Sequence, residues 1–334
     1  MTPFRFSALM LFIAMPQCAS SPTSDAGDAA VATDHSIADA NASDASPNDD
    51  AVDDLAPDAL SSDATDADLA PFDVAALFAP HNGGIAISQA TIDVAGMTFA
   101  LAVHTAGFSD LLADSGTVCN YRVDGACAVA NCTLPPGTIP GADAGTTTRA
   151  PSAGVITISG GTMAPITLTP DPLGHYANAT TMFQRWHDGD RVSIAAAGGD
   201  VPAFATELIF PPQVTIDQPT PPFGAIIAID RATGLDIRWT GTGPRLMQVV
   251  IEQTVTRSDA STATHFVDCW YPISDLAATV APAAIRDFES TMDGGTSSVG
   301  VIVSPVANAT VTAGDYQITI QATPGGFIGT GYVL

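Results

Sequence analysis

The chain has 334 residues, a formal charge of −25 and not one lysine, its ten basic side chains all being arginine. Without a lysine, P-loop nucleotide binding, Schiff-base and pyridoxal chemistry, kinase-type phosphoryl transfer and Ser-x-x-Lys acylation are excluded, because each needs an ammonium or amine at a fixed position. Nucleic acid and anionic lipid are excluded as partners as well, since phosphates need a basic face and twenty-one acidic residues beyond residue 79 still outnumber nine arginines.

At the N-terminus, Arg5 precedes a run of about ten apolar residues from Phe6 to Met15, the length of a signal h-region and too short to cross roughly 30 Å of hydrocarbon. Met15-Pro16-Gln17-Cys18 resembles the lipobox of bacterial lipoproteins, in which the cysteine carries the lipid and becomes the mature N-terminus. Gln17 stands where that family has a small residue. The resemblance implies residues 1–18 as signal peptide, lipid attachment at Cys18 and a membrane as partner, with the protein at the outer membrane or cell surface. Cleavage after Ser20, giving a free secreted protein, is the alternative.

Residues 19–79 hold fourteen aspartates, no arginine and few large apolar side chains. Such a segment cannot bury enough surface to offset chain entropy, so a disordered acidic linker is predicted. A coil of that length spans on the order of 40 Å, more where like charges repel. Acidic runs such as Asp63-Ala-Thr-Asp66-Ala-Asp68 lack the glycine turn and closing bidentate carboxylate of calcium loops, so a solvated spacer is expected rather than a metal site.

Four cysteines remain beyond Cys18, namely Cys119, Cys127, Cys132 and Cys269. An even number in an exported chain predicts two disulfides and permits three pairings. Cys127 with Cys132 as a local closure and Cys119 with Cys269 across the domains is the expected pairing.

Short alternating runs between Gly, Pro and Asp turns predict an all-β chain. Gly154–Ile158, Arg191–Ile194 and Ala205–Phe210 read as strands in the first half, and Leu235–Thr240, Met247–Ile251 and Tyr316–Ala322 in the second. Each should place one face in a core and the other in water. Only Ser274 to Phe288 has helical character, interrupted at Pro282. Prolines at 211–212 and 219–222 predict a boundary near residue 212, giving two antiparallel β-sandwich domains, 80–212 and 213–334.

With Leu235-x-Ile-x-Trp239 as an early strand, Met247–Ile251 following and Gly314-Asp-Tyr316-x-Ile-x-Ile320 late, the second half resembles a fibronectin type III or immunoglobulin-like sandwich. The whole layout is similar to a group of bacterial surface lipoproteins of unassigned function. That likeness rests on Cys127 to Cys132, Gly154-Val-Ile-Thr-Ile-Ser-Gly-Gly161, Gly189-Asp-Arg-Val192 and Val201-Pro-Ala-Phe204. It implies a surface lipoprotein and carries no activity.

No His-Glu-x-x-His, no Gly-x-Ser-x-Gly elbow and no metal spacing occurs among His81, His104, His175, His187 and His265. His187-Asp188-Gly189-Asp190 reads as an Asp-Gly turn. The clearest binding feature is Phe266-Val-Asp-Cys-Trp270-Tyr271. On a strand, Val267, Cys269 and Tyr271 share one face while Phe266, Asp268 and Trp270 share the other. A buried disulfide cysteine would turn the two rings outward around a carboxylate, to stack on a glycan or anchor a protein partner. The bland alternative is that this face packs under a loop or on the first domain. The sequence therefore predicts a non-catalytic binding or structural module without cofactor or metal, with a secreted or surface hydrolase on a β-sandwich scaffold as the alternative.

Overall fold

The computed structural model describes residues 81–94, 97–110, 118–134, 149–161, 163–177, 179–181, 183–219, 226–243, 245–259, 261–290 and 296–334. The signal run, Cys18 and the acidic linker lie outside these residues.

The described chain is nearly all strand. In its first half run β1 (His81–Val94), β2 (Met97–Asp110), β3 (Val118–Asp124), β4 (Cys127–Leu134), β5 (Ile156–Gly160), β6 (Ile166–Leu168), β7 (Ala179–Thr181), β8 (Arg191–Ala196) and β9 (Phe204–Ile209). There follow β10 (Thr215–Gln218), β11 (Ile226–Ile229), β12 (Leu235–Thr240), β13 (Leu246–Thr256), β14 (Thr262–Pro272), β15 (Ala277–Val280), a one-turn helix α1 (Pro282–Ile285), β16 (Thr296–Ala313), β17 (Tyr316–Thr323) and β18 (Phe327–Val333). Period-2 patterning produces these strands: in β12, Leu235, Ile237 and Trp239 are buried while Asp236, Arg238 and Thr240 are exposed. The inward Trp239 donates its indole N–H to the Ile273 carbonyl at 2.8 Å, so its polar atom is satisfied where its ring is packed.

One large sheet runs β3-β4-β14-β13-β16-β17-β1-β2-β7, with β18 on β16 and β11 on β18. Pairing is antiparallel except for β1 with β17 and β11 with β18. Two small sheets cover it. The sheet β6-β5-β8-β9 and strands β1, β2 and β17 enclose a core containing Ile85, Ile87, Trp186, Phe210, Ile318 and Ile320. The sheet β10-β12-β15 and strands β4, β13, β14 and β18 enclose another, with Trp239, Met247, Ile251, Val267 and Phe288.

Strand β16 serves both cores. Val299, Val301 and Val303 enter the second core, and Ala307 and Ala313 enter the first. Because successive residues alternate in direction, these odd-numbered positions place both cores on one face of the large sheet. The even-numbered positions lie on the opposite, outer face.

Three expectations need correction. Two sandwich cores exist, but residue 212 does not divide them: β1 pairs with β17, and β4 with β14. The late strand Tyr316–Ile320, expected in a fibronectin-like second half, packs into the first core. The stretch from Ser274 to Phe288 is helical only in a 3-10 turn, Ile273–Asp275, and again from Pro282, where proline suits a first helical turn. Ala277–Val280 before it is a strand, its Thr-Val end favouring extended backbone.

The disulfides join Cys119 to Cys132 and Cys127 to Cys269. Cys127 and Cys132 both lie on β4, where five extended residues put them roughly 16 Å apart and on opposite faces, beyond disulfide reach. The bonded pairs stand directly opposite each other on neighbouring strands. Two disulfides are consistent with a compartment outside the reducing cytosol, and no helix among the described residues is long and apolar enough to cross a membrane.

Candidate functional site

Residues opposite each other in a ladder project from the same face of a sheet. The register therefore maps the outer face of the second sandwich row by row. One row runs Tyr121, Ala130, Phe266, Glu252, Gly300 and Thr330. The next runs Val123, Ala128, Asp268, Val250, Ile302 and Ile328. A third places Trp270 beside Gln248 and Ser304. Phe266, Asp268 and Trp270 thus share the face turned away from Cys269, as the alternation predicted.

The accessibility of the three differs from that expectation. Phe266 and Trp270 are half-buried, and Asp268 has no exposed surface at all. Asp268 is not a free acid between two exposed rings. The Gln248 amide donates to both of its carboxyl oxygens at 3.1 Å. Burial nevertheless pushes its pKa from 3.8 up to about 8, with Gln248 and Trp270 acting against the shift. Glu252, diagonal to it on β13, is also raised by burial, and its Oε2 has no hydrogen-bond partner.

What this face offers solvent is apolar. Val123 is 70% exposed, Ile226 on β11 69%, Ile328 55% and Tyr121 46%. These side chains frame the half-buried Phe266, Trp270 and Ile302, and the Cys119–Cys132 disulfide closes the edge beside Tyr121. The four stand at the two edges of the face, Tyr121 and Val123 on β3 and Ile226 and Ile328 on β11 and β18, with the buried Ala128, Asp268 and Val250 between them. None of the four was singled out in the sequence. For Tyr121 and Val123 the signal was present in Tyr121-Arg-Val123-Asp, an alternating run whose apolar members lie on the outer face of β3.

The histidines occupy structural positions. His104 is fully buried, Nδ1 donating to the Ala179 carbonyl at 3.1 Å, and burial lowers its pKa to about 4. His265 lies between Asn131 and Glu289, and burial lowers its pKa. With Arg122 on Asp287 and Arg257 on Glu289, this network ties the segment after α1 to β3, β4 and β13. His187-Asp188-Gly189-Asp190 forms the expected turn: His187 N–H donates to Asp190 Oδ2 at 2.7 Å, and Gly189 takes a φ of 82°. No group of three or more His, Cys, Asp or Glu side chains among the described residues is placed to hold a metal ion.

A scan of protein-family models finds none that matches this chain, and a search of curated proteins finds no relative.

Proposed function

We propose that this chain is an exported, lipid-anchored surface protein whose second sandwich presents a non-catalytic contact face for an apolar, uncharged protein surface. The observation that carries the reading is the exposed group Tyr121, Val123, Ile226 and Ile328 around Phe266 and Trp270. Branched aliphatic side chains protrude and interdigitate, which favours a protein over the flat face of a sugar. Asp268 is drawn fully into this face, and burial raises the carboxyls of both Asp268 and Glu252, which lowers the desolvation cost of docking there.

A photo-crosslinking amino acid placed at Val123 or Ile328 on intact cells should give one discrete covalent adduct. The same residue at Thr240, exposed on the small sheet, should give none. Absence of an adduct at both positions rejects the contact face. An adduct of twice the chain mass reassigns the face to a second copy.

The anchoring half of the reading rests on Cys18 behind its apolar run. Cys18→Ala should move the protein from the membrane fraction to the soluble fraction or block its processing. Unchanged fractionation and an unchanged mature N-terminal mass would remove the lipid from the proposal.

A further inference from the structure

The outer face of the first sandwich is buried along one strip. On β17, β1 and β2 its rows are Gln317, Asn82 and Ser109, then Thr319, Gly84 and Gly107, then Gln321, Ala86 and Thr105, then Thr323, Ser88 and Val103. Asn82, Ala86, Val103, Thr105 and Thr319 are only 2% to 8% exposed. On either side the face opens to solvent: Thr310 and Thr312 on β16 and Thr180 on β7 are exposed. The buried strip is therefore three strands wide, about 10 Å, and about 20 Å long from Asn82 to Ser88. It has the footprint of one chain segment laid along β1.

Neighbours within the sheet do not account for this burial. In its row Thr319 is followed by Gly84 and Gly107, which have no side chain to shield it. Among the described residues, both small sheets and α1 serve the cores on the opposite face. Because a single chain shows this burial, its cover is a segment of the chain itself.

The residues ahead of β1 have the composition of a cover. Residues 19–68 contain thirteen aspartates and no phenylalanine, whereas seven of the eight residues in Phe72-Asp-Val-Ala-Ala-Leu-Phe-Ala79 are apolar and two are phenylalanine. A solvated spacer has no use for two aromatic rings in water. The run ends at Pro80, joined directly to His81 of β1, so a reversal there returns it along β1. Ten residues span about 15 Å as a helix and about 33 Å extended, which brackets the length of the strip. Other stretches outside the described residues fit less well: 111–117 must reach from β2 to β3 at the far end of the sheet, and 135–148 has Ile139 as its only large aliphatic or aromatic side chain. We propose that residues 71–80 fold back over β17, β1 and β2 and place Phe72, Leu77 and Phe78 on the strip around Gly84 and Gly107. The acidic spacer then ends near residue 70, and a pull on it meets this cover before it meets β1.

A benzophenone amino acid at Thr310, exposed on β16 in the row of Thr319, tests this in the full chain. Ser88 is the second position should the first variant not fold. Irradiation and peptide mapping should join the probe to a peptide from residues 71–80. Phe72→Ser with Phe78→Ser should also lower the thermal midpoint by about 5 °C or more, while Val52→Ser with Leu55→Ser, a like change within the spacer, should leave it unchanged. An adduct to residues 1–18, 111–117 or 135–148 or to a second chain, no adduct at either position, equal midpoints for parent and phenylalanine variant, or an equal fall in the spacer variant overturns the proposal.

Discussion

Replacing Cys127 and Cys269 together by alanine is expected to cost about 4–5 kcal/mol, the larger of the two disulfide losses. This bond closes a sequence separation of 142 residues and the Cys119–Cys132 bond closes 13, and loop-closure entropy grows with the logarithm of that length. The difference amounts to about 2 kcal/mol in the chain-entropy description. The long bridge is also packed, Cys127 and Cys269 being 3% and 0% exposed in the second core, so alanine leaves a small cavity as well. Denaturant unfolding of the two double variants provides the comparison. An equal loss in both would mean that the unfolded chain is already constrained near β4 and β14. Peptide mapping without reduction should recover 119 with 132 and 127 with 269.

Asp268→Asn is expected to abolish most of the pH dependence of stability on the alkaline side of neutrality. The carboxyl holds its proton up to about pH 8 when folded and releases it near 3.8 when unfolded. Between those values the native state binds the extra proton, so stability is full at low pH and falls as pH rises, by at most about 1.4 kcal/mol per unit. His104 works in the opposite sense, since its folded pKa of about 4 lies below its ordinary 6.5. Its contribution is lost as pH falls through that range and is constant above it. Glu252, raised as well, has the same sign as Asp268. The difference between parent and variant midpoints from pH 6.5 to 8.5 therefore isolates the aspartate, since Glu252 is common to both. The parent should lose stability across this window while the asparagine variant, which keeps an acceptor for Gln248, stays level. Parallel curves would show that Asp268 is charged in the native state.

The strands were legible where side chains declare a period. Leu235-x-Ile-x-Trp239 folds as its period implies, and the alternation around Cys269 places Phe266, Asp268 and Trp270 on one face. Long-range pairing leaves no such trace. The parallel registry of Asn82 with Gln317 and Gly84 with Thr319 is set by what the rest of the sheet leaves vacant. The prolines near residue 212 therefore mark a connection and not a boundary between cores. The cysteines were misjoined because Cys127-Ala-Val-Ala-Asn-Cys132 was read as a loop. As a strand its two cysteines face opposite ways and each must look across to a neighbour. The burial of Asp268 was illegible for a related reason, since local alternation assigns a face and not the depth of that face.

The sharing of β16 has a consequence for the order in which the molecule can be completed. A ribosome delivers β1, β2 and the β5, β6, β8 and β9 sheet early, yet the core between them also needs Ala307, Ala313, Ile318, Ile320 and Ala322. Until residues near 322 have emerged, that half of the protein waits with an apolar sheet face uncovered, a state prone to sticking. Newly made chain therefore stays unfinished until β17 has emerged, and a truncation that removes β17 disables β1 and β2 as surely as the strands beside it.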